Sequence, residues 1–227
     1  MKTSVVIPIF NEVDLLPTVL ERVRALDFEK ELILVDDLSI DGTRELLHGE
    51  EGKPDTTVLY HDVNRGKGAA LRTGFASATG EVIIVQDADM EYTPEDMVRV
   101  LEPIWNGEVK VSYGSRFMSR VKDMRLANYS GNMVLAWLVR VMFWKRITDE
   151  ATAYKAFHRE VLKEIDLECE RFEFCPEVTA RVLRRGHKIV ECPVSFDARS
   201  VAEGKKIGWR DFITAVNTLL RFRFLKF

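Results

Sequence analysis

The sequence predicts a single α/β domain built on a mostly parallel sheet. Three observations carry this: short apolar runs alternate with helical patterns through the first half, the apolar fraction is 46%, and the length is 227 residues. That length suits one domain, and that apolar content can bury a sizeable core.

Ser4–Ile9 is the first strand run, and Leu15, Leu16, Val19, Leu20 and Val23 then share one helical face. Leu32–Val35 and Thr57–Tyr60 are the next strands, and Gly68–Ala78 is a helix rich in small residues suited to close packing. Val82–Val85 is apolar throughout, as expected of a strand buried on both faces. Thr93 and Pro94 read as N-cap and first position of another helix. Gly114-Ser115-Arg116 closes a fifth strand. Strands separated by helices of this length imply right-handed βαβ units.

The second half reads differently. Met124–Trp144 is a long helix, apolar on more than one side; Ala153–Phe157 is a strand, Cys175–Arg185 a helix closed by Gly186, and Lys188–Val194 a strand. Asp197–Ile207 is a polar loop. Trp209, Phe212, Ile213, Val216 and Leu220 then recur at helical spacing. The chain reads as one domain, with residues 1–115 expected as a nucleotide-binding half and 116–227 as an acceptor-binding half with a C-terminal amphipathic helix.

Net charge is −3, which excludes general nucleic-acid binding. The stretch Arg199–Lys226 is locally basic and suits an anionic ligand or surface. Three cysteines without a C-x-x-C pair point to buried thiols in a reducing, cytoplasmic compartment. No signal peptide or spanning segment is read, since Arg140 interrupts the longest apolar helical run. The oligomeric state is not readable.

The chemistry concentrates after the fourth strand, in Gln86-Asp87-Ala88-Asp89-Met90-Glu91. Ligands of open parallel sheets sit beyond the carboxyl ends of the strands. Asp87 and Asp89 can turn together toward a hard cation, Mg²⁺ or Mn²⁺, with diphosphate oxygens and Glu91 completing its shell. One of Asp36 and Asp37 can accept hydrogen bonds from a nucleobase, while another acid caps the helix near Gly42. Asn64-Arg65-Gly66-Lys67-Gly68 departs from the phosphate-loop pattern, so its glycines are read as serving a tight turn and close packing. Arg116 can fork onto phosphate, and Arg125 is a second anion candidate. Ala198–Lys206 is a basic loop able to close over a diphosphate. The four histidines show no metal-ligand spacing and are given no role.

Six motifs in order, V-V-I-P-I-F-N-E, V-D-D-x-S-x-D-G-T, N-R-G-K-G-A-A-L-R-T-G, D-A-D-M-E-Y-T-P-E-D, G-S-R-F and A-R-S-x-x-E-G-K-K-I-G-W, span nearly the whole chain. Together they resemble the family 2 glycosyltransferases of GT-A fold, most closely the dolichyl-phosphate mannose synthase and polyprenyl-phosphate glycosyltransferase branch. The resemblance implies that Pro8, Phe10, Glu12, Val35 and Asp37 line a nucleoside site. It implies that Asp87 and Asp89 hold metal and diphosphate, with Ala88 beside them and Glu91 as a further ligand. Arg116, Arg199 and Lys205 would contact donor or acceptor phosphates. Mannose synthases often carry Tyr at the place of Phe10 and Gln at that of Glu91, which leaves base and sugar open. Some relatives also carry transmembrane helices after the catalytic domain.

The expected reaction is inverting hexosyl transfer from a GDP- or UDP-sugar to a polyprenyl or dolichyl phosphate. A saccharide hydroxyl is the alternative acceptor, and it would need a base. Asp149 is the candidate for that base or for acceptor positioning, a plain structural terminus being its other reading. A sugar nucleotidyltransferase and an inactive binding module are the remaining readings. A lipid acceptor calls for peripheral membrane contact, expected from Arg221–Phe227, where cations alternate with large apolar groups.

Overall fold

A computed structural model describes residues 1–119, 126–197 and 209–224; the side chains of 126–128 and 209 are not described. Its elements follow in order: β1 (Thr3–Ile9), α1 (Leu16–Ala25), β2 (Lys30–Asp36), α2 (Thr43–His48), β3 (Thr56–Tyr60), α3 (Lys67–Ser77), β4 (Val82–Val85), α4 (Asp96–Trp105), β5 (Val111–Ser115), α5 (Leu126–Phe143), β6 (Lys155–His158), α6 (Arg159–Glu164), α7 (Phe174–Arg184), β7 (Ile189–Pro193) and α8 (Trp209–Phe224).

Among the described residues the sheet has seven strands in the order β3-β2-β1-β4-β6-β5-β7. β1 pairs parallel with β2 and β4, β2 with β3, and β5 with β7. Only β6 runs against its neighbours, β4 and β5. The mostly parallel expectation therefore holds, with one reversed strand inserted. That reversal delivers the segment before β6 to the same edge as the carboxyl ends of β1, β2, β4 and β5.

Strand side chains alternate between two buried faces, which explains the unbroken apolar runs. Val5, Ile7, Leu32, Leu34, Val82 and Ile84 face α1 and α4, packing with Leu16, Val19, Met97 and Leu101. Val6, Ile33, Ile83, Val85 and Val111 face the other way, onto Ala70, Leu71, Phe174 and Val178 of α3 and α7. Gly74 lets α3 lie directly on the sheet, because a Cβ there would sit 2.3 Å from Cγ1 of Val6. A third cluster joins α5, α7 and α8 through Leu135, Val139, Ala180, Leu183, Leu219 and Phe222.

Three local expectations need correction. The helix after β4 begins at Asp96: Thr93 and Pro94 form a tighter turn, in which the N–H groups of Asp96 and Met97 donate to their carbonyls. In α8 the inward residues are Ala215, Thr218, Leu219 and Phe222, whereas Ile213 and Leu220 are exposed. The rotation is set by the partner surface, where Phe222 lies under the Arg181 guanidinium at 4.4 Å. Arg221 and Arg223 are likewise spent, on Glu168 (2.9 Å) and on the Met142 carbonyl (2.7 Å), so the tail as far as Arg223 binds the domain. Residues 225–227 lie outside the described residues.

Glu31 staples β1, β2 and the entry to β4. Its carboxylate accepts from Ser4 Oγ (2.5 Å), Thr79 N (2.7 Å), Thr79 Oγ1 (2.6 Å) and Lys2 Nζ (2.7 Å). Burial pushes this carboxyl up, but the donors from Lys2, Ser4 and Thr79 more than offset it and hold it at about 2, against an ordinary 4.5. A carboxyl depressed in the folded state contributes stability above its unfolded pKa and loses it as pH falls through the folded value. Unfolding free energy should thus drop by about 3 kcal/mol between pH 5 and pH 2 on account of this group. Urea unfolding of wild type and Glu31→Gln at pH 7 and pH 2.5 checks it: the variant should be weaker at pH 7, and the gap should narrow in acid. A constant gap would refute the assignment.

Candidate active site

The carboxyl ends of β1, β2, β4 and β5 meet at one edge of the sheet, and the residues beyond them build the site. After β4 the chain passes through buried Gln86, which accepts from Tyr154 Oη at 2.5 Å and donates to the Asp87 carbonyl at 2.8 Å. It then reverses through Met90, whose φ of +59° lies in the left-handed region. The reversal turns Asp89 back, so that its Oδ1 accepts from Glu91 N at 3.1 Å. Burial, then the charges of Asp87 and Glu91, push the Asp89 carboxyl up to about 7, with Lys67 partly offsetting them. Lys67 Nζ sits 2.6 Å from Asp87 Oδ1 and 2.7 Å from Oδ2. No three His, Cys, Asp or Glu side chains form a ready cation cage among the described residues. The acids are hard oxygen donors in an excess of negative charge, so a divalent ion sharing its shell with a ligand's phosphates fits them.

Across the same edge, Arg116 opens a short 3₁₀ turn after β5. Its backbone N–H (3.0 Å), Nε (2.6 Å) and one terminal nitrogen (2.7 Å) all donate to Asp149, which is wholly buried. Phe196 stacks on the guanidinium at 4.9 Å and Phe117 at 5.7 Å. The loop holding Asp149 is fixed in turn: Thr148 N and Asp149 N donate to Glu191 of β7 at 2.7 and 2.9 Å. Asp197 N donates to the Glu91 carbonyl at 2.9 Å, and a bridge joins Tyr92 to Phe196, which brings the start of the polar loop to the acidic turn.

Residues 4–166 match the family model described as Glycosyl transferase family 2. The chain belongs to this family. Undecaprenyl-phosphate mannosyltransferase of Micrococcus luteus is 30% identical over 220 residues, covering 92% of this transferase and 88% of that protein. Polyprenol monophosphomannose synthase of Mycolicibacterium smegmatis is 29% identical over 217 residues, covering 91% and 82%. Glucosyl-3-phosphoglycerate synthase of Mycobacterium tuberculosis, solved with Mn²⁺, uridine diphosphate and phosphoglyceric acid, superposes with a TM-score of 0.76 at 18% identity. That match covers the whole transferase and 80% of the synthase, and at this identity it shows the shared GT-A fold alone. The chain is therefore a glycosyltransferase enzyme, and the nucleotidyltransferase and inactive-module readings give way.

Pro8, Phe10 and Glu12 of the transferase are half-buried around the end of β1, at the expected edge, and Ala88 is buried within the acidic turn. Val35 is corrected: it is wholly buried in the core and has no surface to offer a nucleoside. The two acids after β2 are also largely spent. Asp36 binds Arg44 at 2.7 Å, and Asp37 accepts from His61 (2.7 Å), Arg65 N (2.8 Å) and Gly66 N (2.6 Å). Asp37 therefore shapes the loop before α3 rather than standing ready for a base. The N-cap position of α2 is Gly42, and Asp41 just before it accepts from Thr43 N, the first N–H of the helix, at 3.0 Å. Arg125, Arg199, Lys205 and the loop they expect to close lie outside the described residues.

Sequence reasoning missed three contributors. Lys67 lies in a loop whose glycines alone draw attention, although a lysine between two glycines at a helix start is a visible signal. His61, given no role, bridges Asp37 and Thr73 Oγ1 (2.9 Å). Glu150 is wholly buried beside Asp149, and burial pushes its carboxyl up to about 7; nothing in the local pattern announces it.

Proposed function

We propose that this transferase moves a hexose from a GDP- or UDP-sugar to a polyprenyl or dolichyl phosphate, with inversion at the anomeric carbon. The observation that carries the choice of acceptor is the Arg116–Asp149 pair. Asp149 is the residue that would serve a hydroxyl acceptor as base, and both its oxygens are taken by Arg116. A phosphate acceptor is already an anion and needs no base. An acceptor oxygen bonds to the anomeric carbon as the bond to the donor diphosphate breaks, and no proton moves. Arg116, held rigidly, positions the anionic acceptor. Asp87 and Asp89, with Glu91 near, would hold Mg²⁺ or Mn²⁺, which when bound neutralises charge on the leaving diphosphate. In this reading residues 1–115 take the nucleotide and 116–227 the acceptor. Similarity to enzymes named for undecaprenyl and polyprenol phosphates supports it.

A lipid acceptor requires the site to meet a bilayer, and no helix among the described residues is long and apolar enough to cross one. α5 offers the surface instead. Leu135, Ala136 and Val139 pack inward, while Met133, Trp137, Val141 and, just beyond the helix, Trp144 repeat along an exposed face. Trp137 is 59% and Trp144 87% exposed, with Arg140, Lys145 and Arg146 exposed beside them. Exposed tryptophans with flanking cations suit an anionic lipid interface. In this reading the enzyme works at the cytoplasmic face of a membrane.

One experiment tests both parts. Transfer from GDP- and UDP-hexoses is measured with Mn²⁺, using a long-chain polyprenyl phosphate in anionic vesicles, a short soluble analogue and a free saccharide as acceptors. Both phosphates should be glycosylated with inverted configuration. The double variant Trp137→Glu, Trp144→Glu should lose roughly tenfold in vesicle binding and in long-chain transfer while keeping the soluble rate. Transfer to the saccharide alone would sink the acceptor assignment, and unchanged vesicle binding would sink the α5 surface.

A further inference from the structure

The loop Asn64–Gly68 has one charged group aimed into the site, and its backbone is clamped from both sides. Asp37 takes the N–H groups of Arg65 and Gly66 at 2.8 and 2.6 Å. On the far side, Gly68 N and Ala69 N donate to the carbonyls of Arg171 (3.1 Å) and Glu170 (2.9 Å). The approach is so close that a Cβ at Gly66, whose φ is +91°, would fall 2.6 Å from the Glu170 carbonyl oxygen. Lys67 therefore moves only by its side-chain torsions, on a fixed base at the start of α3. Its Nζ spans both oxygens of Asp87, with the lysine side chain 23% and the aspartate side chain 16% exposed.

Asp87 is one of the carboxylates proposed above to hold the divalent ion. An ammonium spanning both of its oxygens competes for that position, and two cations side by side on one carboxylate repel. The competition is relieved when a second anion arrives that Lys67 can reach. A donor diphosphate is such an anion.

We propose that Lys67 is a built-in counter-cation that keeps the divalent ion off Asp87 until a nucleoside diphosphate draws the ammonium away, so that donor and metal load together. In the loaded enzyme the Lys67 ammonium rests on the diphosphate, where it also meets charge developing on the leaving group. The inference rests on the metal-dependent reading of the acidic turn. It assigns the N-R-G-K-G motif a role beyond the packing of its glycines.

The test is Mn²⁺ binding to the purified protein, followed by the electron paramagnetic resonance of free Mn²⁺, with and without GDP or UDP. Wild type should bind Mn²⁺ weakly alone and at least tenfold more tightly with the diphosphate. Lys67→Met and Lys67→Gln, both checked by circular dichroism for native folding, should bind Mn²⁺ alone at least tenfold more tightly than wild type. Their enhancement by diphosphate should shrink. Lys67→Arg, which keeps the cation, should behave as wild type. Equal Mn²⁺ affinity in wild type and the neutral variants overturns the role of Lys67 while leaving the metal site standing. No Mn²⁺ binding by any of these proteins, with either diphosphate present, overturns the metal reading and this inference with it.

Discussion

Asp89→Asn should remove divalent-dependent transfer and at the same time make the metal-free enzyme more stable at pH 8. The loss of activity follows from the donor set. The amide keeps the shape of the turn, and its oxygen still accepts from Glu91 N, but the charge that a dication shares with the diphosphate is gone. A fall in kcat of roughly a thousandfold, or about 4 kcal/mol of barrier, is the scale of losing such charge stabilisation. The gain in stability follows from crowding. Burial and the charges of Asp87 and Glu91 hold the Asp89 carboxyl at about 7, far above the ordinary 3.8. A carboxyl raised in the folded state contributes stability below its unfolded pKa and loses it as pH rises through the folded value, so the native metal-free protein weakens between about pH 4 and pH 7. The neutral amide is spared that loss, which should be worth on the order of 1 kcal/mol or more at pH 8. Thermal melts of both proteins in chelator at pH 5 and pH 8 decide this: the variant should melt higher at pH 8, and the difference should narrow at pH 5. Full transfer activity in the variant would remove Asp89 from the mechanism. A lower melting temperature at pH 8 would mean that Asp89 is held by contacts stronger than the repulsion.

Asp149→Asn should be the more damaging change to the fold. Asp149 is wholly buried and neutralises Arg116 through three hydrogen bonds, so the variant leaves a guanidinium, only 9% exposed, without its counter-charge. Breaking one side of a buried pair costs about 3–5 kcal/mol. Arg116→Lys tests the same link from the other side. It keeps the charge and loses the planar fork that meets two oxygens at once, and with it the stacking on Phe117 and Phe196. Transfer should fall roughly a hundredfold in either variant, because acceptor placement is lost. The pH profile separates positioning from base catalysis. If Asp149 only anchors Arg116, the residual activity of Asp149→Asn keeps the wild-type dependence on pH. If Asp149 takes a proton from the acceptor, the acid limb of the profile disappears with it, and the phosphate-acceptor reading loses its main support.

Much of the fold was legible because its signals are local. β1, β2 and β4 are buried on both faces, so no alternation interrupts their apolar runs, and α1 turns Leu16, Val19, Leu20 and Val23 inward at the spacing read from the chain. The acidic turn was legible for the same reason: a buried strand followed at once by Asp87 and Asp89 needs no distant partner to be recognised.

What the sequence determined, then, is the succession of buried strands and helices, the family pattern and the place of the acids at a strand end. Each depends on residues within a few positions of one another. Tertiary structure alone decided the rest. β6 runs antiparallel between β4 and β5, and this brings Asp149 to Arg116 across 33 residues of chain. Asp37 reads as a ligand until the loop 28 or 29 residues on folds over it and takes its oxygens. The inward face of α8 is chosen by α7 and α5, since all its faces hold apolar groups and only the partner surface ranks them. Lys67 meets Asp87 over 20 residues for a like reason. A charged side chain's partner is whatever the sheet order places within reach, and no local pattern encodes that order.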